Sequence, residues 1–531
     1  MAHSHEEELA RELLRRGYTR RQFLSVGLKL GLSATSLGAL LAACGEAAQA
    51  PSQSGGAATN SGSATNSSNA SASTNTNTGG GQAAATSAPA SGAAEQATTA
   101  PASGFTNLYD KAQGADGPWP KTVVPEPTSK VELSVAHAWD ATFFERQKQF
   151  DELFMERHPN IVIKAENTPW GDFRQKYLAQ AAGGALPDVF YIHFSWAQDL
   201  IKSGTLIPLD DYIAKQPDFN IDDFTPPSLI SYKRDGKLWV IPYDEGPGIL
   251  YYNKDIFDKA GVKYPDDSWT MDTFKEAVAK LTSGDGQDKV FGYGATPTPG
   301  DALMAPSYLF PFGGQYLSEP KEDQYLLNKP ESEQAMEWWM ELRSKLNAVP
   351  SPAESQTFTQ ANIDAFQVGR VAMKLDGSWA TPGINQNAKF KWDVAKWPKG
   401  PVKQATFSAG SGYGIAKTSQ KADAAWIYLN EYISPAGESY MWGFTGRGSP
   451  ARKSAWDAYF KSKFAPPSAK IILESLNSFA SHDILDQPTA PLVVQAATPI
   501  WDLVVAGQLS VKDAIDQVGQ AIEPIIAQNR A

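Results

Sequence analysis

The hydrophobic pattern of the first folded segment switches repeatedly between the period of a strand and the period of a helix. Short runs rich in β-branched residues predict strands at Val131–Ala136, Ile161–Ala165 and Asp188–Ile192. Apolar residues at helical spacing predict helices between them, at Ala141–His158 and Phe173–Ala182. This alternation predicts a parallel sheet with helices on its faces.

A tryptophan follows each of these three strands. Ligands of parallel sheets bind beyond the carboxyl ends of the strands, so the three loops are candidates for one binding site. An indole face packs against the C–H face of a pyranose, and carboxylates accept hydrogen bonds from pairs of hydroxyls. The alternative is that the tryptophans only close the core. The candidate ligand-binding residues in these loops are Trp139, Asp140, Trp170, Asp172, His193 and Trp196.

The next stretch is interpreted as a crossing between two lobes. Strand-like runs at Leu238–Ile241 and Ile249–Tyr252 flank Pro242–Gly248, whose prolines and glycines predict a bend. A bend at a lobe boundary would place Tyr243 and Asp244 where small-molecule clefts commonly lie. A β-hairpin with an irregular loop is the alternative reading of the same composition.

The pattern beyond the bend predicts a second α/β lobe. Strand Val371–Leu375 is followed by Trp379, a fourth tryptophan after a strand, and the glycine-dense strand Ala405–Ala416 suits a second crossing where backbones approach closely. Further elements are predicted as a strand at Val290–Tyr293 and helices beginning after Thr270 and spanning Ser332–Leu346, Ala361–Gly369, Ala422–Ile433, Ala436–Trp442, Pro499–Ala506 and Val511–Gln528.

Composition narrows the functional classes. The 531 residues are 42% hydrophobic, enough for a large core, and the net charge of -11 argues against a nucleic-acid-binding surface. The single cysteine excludes an intrachain disulfide, and the six histidines show no metal-ligand spacing. We therefore predict no cofactor, no metal site and no nucleic-acid partner.

The N-terminus predicts export and lipid anchoring. The twin arginine of Thr19–Leu24 precedes an apolar run and resembles a Tat-type signal, and Leu41-Ala-Ala-Cys44 resembles a lipoprotein cleavage site. We predict a signal peptide over residues 1–43 and acylation of Cys44. A transmembrane anchor is the alternative, but Lys29 interrupts a run that is short and rich in glycine.

The residues after the cysteine predict a flexible tether. Residues 44–104 are almost entirely Ala, Ser, Thr, Asn, Gly, Gln and Pro, and this composition buries too little apolar surface to order. Such a tether reaches ~45 Å from its attachment point. Residues 105–129 are a partly ordered lead-in, and the folded region spans residues 130–531.

Five further motifs, in order, resemble the family 1 extracellular solute-binding proteins, the sugar receptors of ABC importers. These motifs are Tyr251–Phe257, Asp267–Thr270, Gly369–Trp379, Gly410–Ala416 and Trp501–Ala514. The resemblance implies an α/β, periplasmic-binding-protein-like fold of type II, in which two lobes, each a mainly parallel sheet flanked by helices, are joined by crossing hinge strands. Lobe 1 would comprise about residues 130–242 and 415–480, and lobe 2 about residues 247–405 and 485–531.

The resemblance also implies site residues and partners. Beyond the three first-lobe loops, it assigns ligand contacts to Tyr243, Asp244, Trp379, Ser411, Gly412, Trp442 and Arg447. It implies a monomeric, lipid-anchored, extracytoplasmic receptor that binds a sugar or oligosaccharide between its lobes. The receptor would deliver this carbohydrate to the permease subunits of an ABC transporter and attach to the bacterial membrane through Cys44.

Two other functions use the same residue types. A secreted glycoside hydrolase needs two carboxylates across the scissile bond, and Asp140, Asp172, Asp244 and Glu245 are candidates, but no Gly-x-Ser-x-Gly motif is present. A polyamine or iron receptor of the same fold is the other alternative. Strand alternation would point Tyr251 and its neighbour to opposite faces, against a ferric pair. We therefore predict a sugar receptor and not an enzyme.

Overall fold

The computed structural model describes residues 109–530 apart from 295–303, 320, 361–363 and 482–488. The predicted signal peptide, Cys44, the tether and the first four residues of the lead-in lie outside the described residues. Residues Thr99–Ala531 group as one unit of the chain. A search of the described residues for helices long and apolar enough to cross a membrane finds none.

Strands and helices alternate through most of the described chain. The strands are β1 Val131–His137, β2 Ile161–Asn167, β3 Val189–His193, β4 Lys233–Arg234, β5 Lys237–Leu238, β6 Ile241–Pro247, β7 Ile249–Asn253, β8 Phe291–Tyr293, β9 Val371–Asp376, β10 Trp392–Ala395, β11 Thr406–Ile415 and β12 Ala480–Ser481. The first helices are α1 Ala141–Arg157, α2 Trp170–Ala182, α3 Phe194–Lys202, α4 Asp210–Lys215, α5 Pro226–Ile230, α6 Lys254–Ala260, α7 Met271–Leu281 and α8 Ala305–Tyr308. The remaining helices are α9 Pro330–Ser344, α10 Pro352–Gln360, α11 Thr381–Asn387, α12 Ala422–Tyr432, α13 Pro435–Glu438, α14 Trp456–Phe460, α15 Lys470–Ser478, α16 Ala490–Val505 and α17 Val511–Ile526.

The first sheet has the strand order β12–β11–β3–β1–β2, and β6 also pairs with β11. β1 runs parallel to β2 along its whole length, from the Val131–Ile161 pair to the His137–Asn167 pair, and it is parallel to β3 as well. The carboxyl ends of these three strands therefore meet at one edge, as the sequence predicts.

The second sheet has the order β10–β7–β9–β8. Only β8 and β9 pair in parallel, whereas β7 is antiparallel to both β9 and β10. The expectation of a mainly parallel sheet in each lobe is therefore wrong for this sheet. The period of a strand pattern specifies which face a side chain takes and not the direction of the strand, so antiparallel pairs between distant residues, such as Ile249 with Asp376, are not encoded locally.

The chain passes between the two sheets at Gly248. β6 pairs with β11 in the first sheet, and β7, one residue further on, pairs in the second. The predicted crossing is thus confirmed, but the predicted bend over Pro242–Gly248 is wrong, since most of it is strand. Its prolines are tolerated because β6 lies at the edge of the first sheet. At an edge, a proline can lack its backbone N–H without removing a hydrogen bond between strands.

Strand β11 returns along β6, and its glycines permit a close backbone approach. A Cβ on Gly412 would press into the carbonyl oxygen of Ile241, and one on Gly410 would meet the backbone oxygen of Asp244 at 2.6 Å. The prediction that glycine is needed here for close approach is confirmed.

Substituting Gly412→Ala should therefore destabilise the protein by about 1–3 kcal/mol, the usual cost of forcing an extra methyl into packed structure. Gly171→Ala is the matched control, because a Cβ there meets nothing within 4 Å and the position is helical. Denaturant unfolding should show a lower midpoint only for the first variant. Equal midpoints would contradict the close-approach argument.

Helices α14 and α15 pack differently from their predicted assignment to lobe 1. Trp456, Ile472 and Leu476, which we assigned to lobe 1, pack in a cluster with Ile249 and Val394 of the second sheet. The strand that follows them, β12, pairs with β11 of the first sheet. The segment therefore contacts both sheets, and the boundary between the lobes stays a prediction.

Most predicted helices are present with boundaries shifted by a few residues, and three differ more. The helix predicted at Pro499–Ala506 begins much earlier, as α16 Ala490–Val505. Residues 361–363 of the predicted helix Ala361–Gly369 lie outside the described residues and 365–369 form a turn, while a helix that was not predicted occupies Pro352–Gln360. The predicted Ala436–Trp442 helix is α13 followed by a π-type turn at Ser439–Gly443.

Candidate functional site

A cavity of about 660 Å³ lies where the carboxyl ends of the first sheet face the second sheet. This volume falls in the ordinary range of small-molecule sites, about 300–1,000 Å³. Its lining combines aromatic rings, carboxylates and one arginine. The lining residues are Ala138, Trp139, Asp140, Trp170, Tyr191, His193, Tyr243, Asp244, Met304, Asp376, Trp379, Ala409, Gly410, Ser411, Arg447 and Thr498.

The structure brings nine of the thirteen sequence-predicted ligand residues to this cavity and leaves four outside its lining. The nine are Trp139, Asp140, Trp170, His193, Tyr243, Asp244, Trp379, Ser411 and Arg447. Trp196 and Trp442 are buried behind the wall, and Trp442 stacks on Tyr243 with ring centroids 4.6 Å apart. Asp172 is exposed in the first turn of α2, and a Cβ on Gly412 would point at β6.

Sequence reasoning missed several lining residues, of which Tyr191 and Asp376 carry polar chemistry. Tyr191 lies in β3 two residues before His193, so strand alternation puts both side chains on one face. Its hydroxyl lies 2.8 Å from the hydroxyl oxygen of Ser411. Asp376 ends β9 immediately before the Gly-Ser-Trp turn. The sequence already contained both features, the alternation of Tyr191 with His193 and the position of Asp376 at the end of a predicted strand.

Two of the indoles lining the cavity are accessible. Trp170 begins α2 and is 51% exposed, with its ring edge-on to His193 at 5.7 Å. Trp379 is half-buried after β9, and its ring folds over Gly377, where any Cβ would collide with it. The glycine therefore sets the indole position. The two rings come from the two different sheets.

Trp139 is buried, unlike Trp170 and Trp379, and is only 2% exposed. Its indole nitrogen donates to Gln147 at 3.1 Å, and the guanidinium of Arg447 lies 4.9 Å from its ring centre. Asp140 caps α1 by accepting from the backbone N–H of Phe143 at 2.9 Å, and its other oxygen accepts from Arg447 at 3.3 Å. Helix capping thus holds this carboxylate at the cavity wall.

Asp244 is the buried acid of the site, only 7% exposed. Its Oδ1 accepts the backbone N–H of Ser411 at 2.8 Å. Burial raises the pKa of Asp244 to about 8, although the positive charge of Arg447 and the Ser411 hydrogen bond work in the opposite direction. Asp376, by contrast, forms an ion pair with Lys374 at 2.9 Å.

A buried polar network supports the wall behind Trp139. The amide nitrogen of Gln147 donates to Asp151 at 2.9 Å, and Tyr428 donates to the same carboxyl at 2.8 Å. Burial raises the pKa of Asp151 to about 7. The same burial lowers the pKa of His137, at the end of β1, to about 3, so this histidine stays neutral at ordinary pH.

Asp151 should make stability depend on pH. Since its folded pKa of about 7 exceeds the pKa of 3.8 of an unperturbed aspartate, its contribution to stability is complete below about pH 4 and is lost as the pH rises through 7. Asp151→Asn should flatten the unfolding free energy between pH 4 and 7, by up to about 1.4 kcal/mol per pH unit. Glu156→Gln, exposed on the same helix, is the control; an unchanged slope in the Asp151 variant would refute the assignment.

Among the described residues, no group of three or more histidine, cysteine, aspartate or glutamate side chains is arranged to hold a metal ion. The polar groups at the cavity are instead spaced around its wall between aromatic rings. This arrangement suits hydrogen bonds to an organic ligand with stacking on its faces.

Comparison with known proteins identifies the fold and the family. The family model of the bacterial extracellular solute-binding proteins matches residues 137–439. The lactose-binding protein of Rhizobium radiobacter is 25% identical over 329 residues, which cover 59% of this chain and 72% of that protein. A putative binding protein of Brucella abortus is also 25% identical, over 57% of this chain and 71% of its own length.

Solved structures share the architecture. An ABC substrate-binding protein of Listeria monocytogenes, solved in complex with cycloalternan, superposes with a TM-score of 0.68 over 75% of this chain and 99% of its own, at 23% identity. The expectation of a two-lobed α/β binding-protein fold is thereby confirmed. With a family match over more than half of its length, this chain belongs to the bacterial extracellular solute-binding proteins.

Proposed function

We propose that the protein is a lipid-anchored extracytoplasmic receptor that binds a sugar or oligosaccharide in the cavity between its sheets and delivers it to an ABC permease. The observation that carries the proposal is the pair of accessible indoles, Trp170 after a strand of the first sheet and Trp379 after a strand of the second, which line one cavity together with carboxylates. Indole faces and carboxylate acceptors are the groups that recognise pyranose rings.

Contacts between the ligand and both sheets would also explain how the receptor delivers the ligand to a permease. Contacts from both sides favour a closed arrangement of the sheets by the difference in binding free energy between closed and open forms. Hinge closure of this kind is a common response of two-lobed binding proteins. A permease would then distinguish loaded from empty receptor by shape, and the predicted acyl group on Cys44 would hold the receptor near it.

The carboxylates at the cavity support binding over hydrolysis. Asp140 is held by Arg447 and by the helix it caps, and Asp376 is held by Lys374, which leaves Asp244 as the lining carboxyl without an ion pair among the described residues. A glycosidase needs one free acid and one free base or nucleophile across the scissile bond, and Asp244 alone does not supply both. The named relatives are likewise binding proteins. We therefore propose that the bound sugar leaves the site chemically unchanged.

The test is a titration of the intact protein with mono- and oligosaccharides, followed by intrinsic tryptophan fluorescence, with spermidine and ferric ion as controls. Saturable binding of a saccharide, recovered intact by chromatography, is the expected result. Recovery of cleaved sugar would favour the hydrolase, and a response only to spermidine or ferric ion would overturn the sugar assignment.

A further inference from the structure

Asp244 differs from the other acids of the cavity in having no cationic partner. Asp140 pairs with Arg447 and Asp376 pairs with Lys374, whereas no ion pair within the described part of the chain includes Asp244. Its Oδ1 is taken by the Ser411 N–H, and no hydrogen bond from the described residues reaches its Oδ2. A nine-tenths-buried carboxyl therefore presents one unused oxygen at the cavity wall.

The groups around Asp244 leave it short of positive charge. Arg447 is the one cation whose field lowers its pKa, and the neighbouring Glu245 raises it. Tyr191, Tyr243 and Tyr232 surround it as neutral phenols, since burial raises the pKa of each well beyond the physiological range. Glu438, which also feels the charge of Asp244, adds a further buried acid.

We propose that the sugar bound in this cavity is an amino sugar whose ammonium group pairs with Asp244. The inference rests on the proposed sugar-binding function and narrows it. An ammonium would supply the charge that the site lacks, and it would donate to the unused Oδ2.

Pairing of an ammonium group with Asp244 should release a proton on binding, whereas binding of a neutral sugar should not. Because the pKa of Asp244 is about 8, the empty site holds a neutral carboxyl at pH 6.5. Binding of an ammonium converts it to a carboxylate, and the proton passes to the buffer. A neutral sugar would instead accept a hydrogen bond from the carboxyl, with no proton released.

The experiment compares glucosamine, glucose and N-acetylglucosamine, together with their β-1,4-linked disaccharides and spermidine, by calorimetry of the intact protein at pH 6.5. We expect the free amino sugar to bind at least tenfold more tightly than its neutral counterparts. We also expect binding enthalpies in two buffers of different ionisation heat to report about one proton released.

Each outcome separates this inference from the broader proposal. Neutral sugars that bind as tightly as amino sugars, or amino-sugar binding without proton release, would overturn the amino-sugar inference and leave sugar binding intact. Binding of spermidine alone would overturn both. Binding of none of these probes would overturn the amino-sugar inference and leave the sugar proposal to the wider saccharide titration.

The Asp244→Asn variant adds a test that does not depend on absolute affinity. An asparagine oxygen can still accept the Ser411 N–H, so we expect the fold to persist, as a melting curve will check. The preference for the amino sugar should fall at least tenfold and the proton release should vanish. Asp172→Asn, which removes an exposed carboxylate outside the cavity, should keep both. A preference retained by the Asp244 variant would overturn the inference.

Discussion

Trp379→Ala should weaken sugar binding by about 30-fold or more. Trp379 presents an accessible indole after β9 of the second sheet, and the absence of a side chain on Gly377 lets the ring pack against that residue's backbone. Truncating a central aromatic anchor typically costs about 2–4 kcal/mol, and each 1.4 kcal/mol is a factor of ten in Kd. The measurement is the Kd of the tightest saccharide by calorimetry.

Trp338→Ala is the matched control for this loss. Trp338 is also a half-buried tryptophan near the second sheet, on α9, but its ring packs on Phe312 and it does not line the cavity. Its removal should leave Kd unchanged within twofold. Trp170→Ala should weaken binding in the same direction as Trp379→Ala. Unaltered affinity in both cavity variants would refute stacking as the source of binding.

Arg452→Met should destabilise the protein by about 3–5 kcal/mol, the usual cost of removing one member of a buried charge pair. Arg452 is 1% exposed, and its guanidinium donates to the carbonyl oxygens of Phe219, Asn220 and Ile433. It also pairs with Asp223 at 3.3 Å. Methionine fills similar volume but leaves these buried acceptors without a donor.

The neighbouring residue provides the control. Lys453 is exposed and its ammonium donates to the carbonyl of Asp222, so Lys453→Met should change stability by no more than about 0.5 kcal/mol. Denaturant unfolding of the two variants measures the contrast directly. A loss below about 1 kcal/mol in the Arg452 variant would show that the buried network relaxes without the guanidinium.

The edge that carries the site was predictable from sequence because parallel strands align their carboxyl ends. Trp139, Trp170 and His193 each follow or end such a strand, and the pattern brought them together correctly. Tyr191 was equally predictable from strand alternation with His193. Sequence patterns are reliable here because each residue's position follows from the strand that carries it.

Burial of the remaining tryptophans was not predictable in the same way. Trp196 lies in α3 and Trp442 in the π-type turn at Ser439–Gly443, yet they are 6% and 0% exposed because neighbouring aromatic rings cover them. Whether an indole faces ligand or core depends on which rings pack against it. That is a property of the assembled sheets and helices.

The route of the chain between sheets was only partly encoded locally. Gly248 marks the crossing, but the prolines that suggested a bend lie in an edge strand, where they are tolerated. The return of residues 456–476 to the second sheet follows from apolar packing with Ile249 and Val394. Contacts between residues that are distant in sequence determine this part of the fold.

The decisive measurement is the crystal structure of the protein with the tightest-binding saccharide. We expect one sugar in the cavity between the sheets, with a ring face against Trp170 or Trp379 and a polar group within hydrogen-bonding distance of Asp244. Sugar bound elsewhere, or contacted by only one of the two sheets, would contradict it.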